Sequence, residues 1–299
     1  MSAEIRDVTG WAVSGDEWIG DQKKEWLLEP ASDGGIPPRR WLFKPSRRVA
    51  RLGKQGQDAG TITWFDAQSE FVACRVAKLI GVPVAEVDLA NRADSFGCVS
   101  RNIASQEEDL QSGDVFLAGV AGPSYIPNAA RTRNRTGHRL DTIGLVLDGI
   151  DPPNRSMDGD ARTAFAGFLV LDAWIGNTDR HSENWALLVG PEGSRLAPSF
   201  DHGSSLAAGR DDAFLQRKDP REFARGAMAK KFDGGKTVPL VDLAKDALCR
   251  WGGPWISRLR DVDTAQVAVI VDSAPGLSDH RRTFVLRMLE ENRRRLIDP

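Results

Sequence analysis

The stretch from residue 160 to residue 203 constrains this chain more than any other. It opens on an apolar run, 160–175, in which Phe165, Phe168, Leu169 and Asp172 recur at three- and four-residue spacing, so the spacing predicts a helix. Gly176 ends the run. A polar loop follows, Asn177-Thr178-Asp179-Arg180-His181-Ser182-Glu183-Asn184, and leads into the apolar strand pattern from Trp185 to Val189. Gly190-Pro191-Glu192-Gly193 forms a turn, residues 195–200 return as a second strand, and Asp201-His202-Gly203 closes the segment. Asn184 and Asp201 lie on opposite arms of this hairpin, so folding it brings them together at the open end, with Asp179 in the adjoining loop. Asp172 places a carboxylate on the apolar stripe of the helix, which demands a partner.

The remaining punctuation divides the chain. Residues 24–28 and 41–43 are short apolar or aromatic runs flanking Glu29-Pro30-Ala31-Ser32-Asp33-Gly34-Gly35-Ile36-Pro37-Pro38, and they predict a hairpin with a long, glycine-containing tip. A helix is predicted over 66–80, closed by Gly81 and Pro83. Val72, Val76, Leu79 and Ile80 share its buried face, and Glu70 projects from the edge beside the small Ala73 and Ala77. Strands are predicted over 82–89 and 96–103. From residue 106 onward the pattern is mainly helical, with further helices over 213–223, 241–255, 264–271 and 279–297. The fold class is therefore α+β, with a strand-rich first lobe over residues 1–105 and a helical second lobe over 106–299.

With 40 Lys and Arg against 42 Asp and Glu, the net charge is −2 and the pI about 6.1. That balance argues against a dedicated nucleic-acid or membrane-surface binder, whose affinity rests on excess cations. The N-terminus lacks a basic head followed by an apolar run, and no stretch approaches the roughly 18 apolar residues of a spanning helix. A cytoplasmic chain without an anchor is expected. Cys74, Cys98 and Cys249 lie too far apart for a metal knuckle and read as buried free thiols.

An Asn carbonyl beside an Asp carboxylate offers hard oxygen ligands suited to Mg²⁺. Either residue alone in a loop is as readily a cap or a turn residue. Together, Asp179, Asn184 and Asp201 have the spacing of a phosphoryl-transfer site, in which one Asp orients the attacking hydroxyl while an Asn and a second Asp hold metal. Lys44 follows an apolar strand and precedes Pro45 and the helix carrying Glu70, a strand end where a solvated lysine is ordinary and a functional one is open. His181 is placed to brace the loop through a ring hydrogen bond, and His202 is read as structural. Arg131, Arg133, Arg135, His138 and Arg139 form the strongest basic patch, a solvated loop or a dock for an acidic or phosphorylated partner.

These residues resemble those of the HipA-like kinases, in particular the compact bacterial serine/threonine members. Asp179-Arg180-His181-x-x-Asn184 is similar to the family's catalytic loop, and Asp201 to its metal-binding Asp. Lys44 in Phe43-Lys44-Pro45-Ser46 resembles the nucleotide-binding lysine, and Glu70 the acidic helix residue paired with it. Gly97-Cys98-Val99-Ser100-Arg101, followed by the acidic segment from Glu107 to Gly113, is similar to the strand in which Ser100 would contact nucleotide. The resemblance implies a bilobal protein-kinase-like fold that uses ATP and Mg²⁺ to phosphorylate a Ser or Thr of a protein substrate, the chain itself included. It also implies a phosphate-covering loop, for which Ser32, Gly34 and Gly35 are the candidates, with Ser32 as an acceptor of autophosphorylation. That loop fits neither a Gly-x-Gly-x-x-Gly nor a Walker pattern. The long N-terminal extension of the larger HipA toxins is expected to be reduced, because Lys44 comes so early. The Asp-Arg-His-x-x-Asn loop is shared with phosphatidylinositol 3-kinase-like enzymes, so a lipid or small-molecule kinase is the rival enzyme reading. A catalytically silent kinase-like binding module is the rival outside enzymes.

Overall fold

Period-two alternation builds the first layer. The computed structural model describes residues 2–17, 24–31, 38–52, 58–127 and 136–298. Ser32, Gly34 and Gly35 of the expected phosphate loop, and Arg131, Arg133 and Arg135 of the basic patch, lie outside the described residues. Strands β1 (Arg6–Asp7), β2 (Ala12–Glu17), β3 (Lys24–Leu28) and β4 (Arg40–Pro45) are followed by a separate hairpin of β5 (Arg48–Leu52) and β6 (Asp58–Thr63). Helix α1 (Asp66–Leu79) comes next, then β7 (Val87–Arg92) and β8 (Ser95–Arg101). The main sheet runs in the order β1-β7-β8-β4-β3-β2, antiparallel except where β1 joins β7.

The register sorts side chains onto two faces. Leu27, Trp41, Phe43, Ala90 and Val99 make a small core with Val8 on one of them. On the other, Val87, Leu89 and Cys98 pack with Ala73, Val76 and Ala77 of α1 in the main core. Gly97 on β8 lies tight against β4: a Cβ there would sit 2.2 Å from the Lys44 carbonyl oxygen.

The second half is dominated by helices, with one small sheet among them. Strand β9 (Asp109–Ser112) precedes α2 (Gly113–Ala121) and α3 (Leu140–Val146), and α4 (Ala161–Ile175) leads to β10 (Ala186–Gly190) and β11 (Gly193–Leu196). β10 is the centre of the three-stranded sheet β11-β10-β9. α5 (Asp212–Leu215), α6 (Pro220–Arg225), α7 (Leu240–Trp251), α8 (Trp255–Asp261), α9 (Thr264–Ser273) and α10 (Asp279–Ile297) complete the chain. The Asp160 carboxylate caps α4 by accepting from Thr163 N–H, and Gly176 ends it at φ 67°. Almost every residue of α4 is buried, as expected of a helix apolar on all sides.

Several elements differ from the sequence reading. The strand expected over 82–89 begins later, at Val87, because Pro83 and the bridge from Val84 to Ser199 hold the preceding residues against the hairpin arm. β9 lies in a region read as helical, since its edge pairing with β10 gives it a partner that no local pattern announces. The helix expected over 213–223 is two, because Asp219 caps a new start at Pro220. That over 241–255 stops at Trp251, where Gly252, Gly253 and Pro254 intervene. Cys74 and Cys98 are buried, but Cys249 is exposed on α7. Among the described residues no helix is long and apolar enough to cross a membrane.

Two glycines give opposite expectations. Gly97→Ala should cost about 1–3 kcal/mol through overpacking against β4. Gly119→Ala, with open space around its Cβ on exposed α2, should stabilise by about 1 kcal/mol through helix propensity. Urea midpoints of both variants check this.

Candidate active site

Lys44 is aimed by register. Lys44 pairs with Cys98 and Leu42 with Ser100, so Lys44, Cys98 and Ser100 share the sheet face that α1 covers. The Lys44 ammonium donates to Glu70 Oε1 at 3.1 Å and to Asp201 Oδ1 at 3.2 Å. Burial works against the ammonium, but the carboxylates of Asp201 and Glu70 outweigh it and hold the group above the ordinary lysine range. The same contact pulls Asp201 well below the usual carboxylate range. Glu70, almost wholly enclosed, is pushed up by burial, with Lys44 opposing. Ser100 is buried, one alternation along the strand from Cys98.

Asp201 adopts φ 62°, a left-handed conformation that few residues other than Gly, Asn and Asp tolerate. Two residues on, a Cβ at Gly203 would meet Glu70 Oε2 at 3.1 Å, so the absence of a side chain lets this segment pass α1. Ser204 then donates its hydroxyl to Asp179 Oδ2 at 3.3 Å. Residues 201–204 therefore touch Lys44, Glu70 and Asp179 in turn, tying the cation of the sheet to the loop after α4.

That loop is built around Arg180, which is 1% exposed. Its Nε donates to Asp172 Oδ2 at 2.7 Å and its Nη2 to Asp172 Oδ1 at 2.8 Å, which supplies the partner that the helix stripe required. Nη1 donates to the Asn184 carbonyl at 2.7 Å and Nη2 to Ser199 Oγ at 2.8 Å. Asn177 completes the Asp172 carboxylate from Nδ2 and accepts the Asp179 N–H on Oδ1. Asn184 Nδ2 donates to the Asp179 carbonyl at 2.8 Å, and among the described residues no hydrogen bond engages its Oδ1. His181 Nδ1 accepts the Glu183 N–H at 3.2 Å, the brace its position suggested, and burial lowers its pKa. His202 Nε2 lies 2.8 Å from Ser199 Oγ; burial and then Arg180 keep this ring neutral. Ser182 donates to Asp114 Oδ1 at 2.5 Å, anchoring the loop to the start of α2.

Asn184 and Asp201 come from opposite hairpin arms as expected. Leu187 pairs with Leu196, and beyond that end of the ladder Arg180 bridges the two arms, donating to the Asn184 carbonyl and to Ser199 Oγ. Of the basic patch, His138 is buried and Arg139 exposed. Sequence reasoning missed Lys24. Continuing the β3–β4 register one step past Glu25 and Phe43 sets Lys24 opposite Lys44 on the same face, and its charge lowers the pKa of both Glu70 and Asp201. The signal was available in the alternation of the two strands.

With this geometry in view, residues 19–247 match the HipA-like C-terminal domain. The chain belongs to that family. The serine/threonine-protein kinase CtkA of Helicobacter pylori is 24% identical over 244 residues, covering 77% of this chain and 70% of that relative. The crystal structure of the Helicobacter pylori proinflammatory kinase CtkA superposes with a TM-score of 0.69 at 19% identity, covering 98% of this chain and 96% of that one. The α+β, bilobal kinase-like fold follows from that likeness, and the cluster of Lys44, Glu70, Asp179 and Asp201 is the candidate functional site on it.

Asp172→Asn keeps the shape of the Asp172 side chain and removes its charge, leaving the Arg180 guanidinium buried and unpaired. The expected cost is about 3–5 kcal/mol. Urea unfolding of the variant checks it.

Proposed function

We propose that this HipA-like chain is a protein kinase that transfers the γ-phosphoryl group of ATP to a Ser or Thr hydroxyl of a protein, itself included. The observation that carries this reading is the continuous path from Lys44 through Asp201 and Ser204 to Asp179, which sets a phosphate-seeking cation and a hydroxyl-orienting carboxylate on one segment. The donor set fits Mg²⁺: Asp201 is partly exposed with Oδ2 outside the Lys44 contact, and Asn184 offers Oδ1, so both ligand atoms are hard oxygens. Bound by Asp201 and Asn184, Mg²⁺ would offset negative charge on the phosphates.

The chain's own groups supply the rest. Lys44, oriented by Glu70, binds phosphate oxygens. Asp179 accepts the proton of the acceptor hydroxyl as that oxygen bonds to the γ-phosphorus and the bond to the bridging oxygen of ADP breaks. Arg180 and Asn177 hold the loop so that this geometry needs no reorganisation. The Arg139 end of the basic patch is exposed beside this region and suits an acidic or phosphorylated partner.

Purified protein incubated with labelled ATP, Mg²⁺ and a general Ser/Thr acceptor protein should yield phosphoserine or phosphothreonine, and chelation should abolish the signal. Asp179→Asn should lose on the order of 10²-fold or more in transfer with Mg·ADP affinity retained. Asp201→Asn, which tolerates the left-handed backbone, should instead lose Mg²⁺-dependent nucleotide binding. Lys44→Ala should cripple transfer without unfolding the chain, and Glu70→Ala should give a milder defect. Transfer to lipid or small hydroxyl compounds with none to protein would overturn the assignment of substrate class.

A further inference from the structure

Asp179 has a second partner, which comes from far along the chain. Lys231, between α6 and α7, places its Nζ 2.8 Å from Asp179 Oδ1, with the two side chains 29% and 33% exposed. Ser204 holds Oδ2, so the carboxylate is fixed at both oxygens. The loop itself provides no such cation, because Arg180 is turned inward onto Asp172, Asn184 and Ser199.

Lys231 is firmly mounted. Trp185, the residue after Asn184, donates its indole N–H to His138 Nε2 at 3.2 Å. That contact makes Nε2 an acceptor and puts the ring proton on Nδ1, which donates to the Lys231 carbonyl at 3.0 Å. Phe232 stacks on the same imidazole with centroids 4.4 Å apart, and Asp233 N–H donates to the His138 carbonyl at 2.8 Å. The lysine is therefore carried by a scaffold continuous with the catalytic loop. A partly exposed ion pair of this kind contributes little to stability, so its fixed placement calls for another reason.

We propose that Lys231 is a positioning residue that holds Asp179 Oδ1 so that the carboxylate meets the acceptor hydroxyl in one orientation. This rests on the phosphotransfer reading above. Misplacing an orienting group by about an ångström costs on the order of 10²-fold in rate, while ATP phosphates on the Lys44 side are untouched.

The test is Lys231→Met, which keeps the aliphatic stem. Phosphotransfer kinetics should show kcat lowered about 10- to 100-fold. KM for ATP, Mg·ADP affinity by calorimetry and the unfolding midpoint should all match the parent. Lys231→Arg should recover part of kcat, and Lys231→Met added to Asp179→Asn should give no further loss, since the two act as a unit. A Lys231→Met variant that turns over at the parent rate overturns the proposal while the phosphotransfer reading stands, and so does a loss that multiplies with that of Asp179→Asn. A parent protein that transfers phosphate to no acceptor, itself included, overturns both.

Discussion

The buried pair of Asp172 and Arg180 is the contact on which the rest of the site depends. Two charges this enclosed gain little net stability over a well-packed apolar pair, because desolvation offsets their attraction. What they provide is registry. Asp172 is fixed by α4, Arg180 reaches from the loop to that carboxylate, and its remaining donors hold the Asn184 carbonyl and Ser199. One guanidinium thus sets the helix end, the loop and both hairpin arms in a single arrangement. Each of the three guanidinium nitrogens has an acceptor, which is the condition under which a buried network specifies a structure rather than weakening it.

A second node, around Lys44, follows a different logic. Here one buried ammonium stands between two carboxylates, with Lys24 alongside, and the carboxylates are unequal. Lys44 draws Asp201 toward its ionised form, whereas burial raises Glu70. The more exposed carboxylate is the one on the strained left-handed residue, and the enclosed one stands on a rigid helix. That division suits a site in which Glu70 orients the lysine and Asp201 meets an incoming cation. Backbone strain at Asp201 belongs with functional placement, since the segment it belongs to is held from both sides.

Much of this was legible because it is local. The 160–203 segment announces its helix by periodicity, its stop by Gly176 and its hairpin by Gly190-Pro191-Glu192-Gly193, and Asn184 and Asp201 follow from that hairpin. Glu70 was legible from its place on a helix edge beside the small Ala73 and Ala77. What escaped has a common physical cause: it is fixed by pairing between distant segments. β9 is a strand through β10, Lys24 faces the site through the register with β4, and Lys231 reaches Asp179 through His138 and Trp185. The breaks at Pro220 and at Gly252, Gly253 and Pro254 are another matter. Their signals were local, and apolar periodicity running through them masked the stops.

The same split between local and distant determinants bears on specificity. The groups suited to ATP chemistry, Lys44, Glu70, Asn184 and Asp201, stand on a strand, a helix and the two ends of one hairpin. The groups around the hydroxyl side of Asp179 come from 136–139 and 228–233, which meet through the His138 ring, the Phe232 stack and the Asp233 contacts. Irregular segments mounted on a rigid frame can change sequence without disturbing the frame. On the phosphotransfer reading, the donor half of the site stands on regular elements, whereas the acceptor side is edged by irregular segments that carry the exposed Arg139 and Lys231, the partner of Asp179. Shared membership of the HipA-like family accordingly informs the chemistry of Lys44, Asp179 and Asp201 far more than it informs the identity of the protein that receives the phosphate.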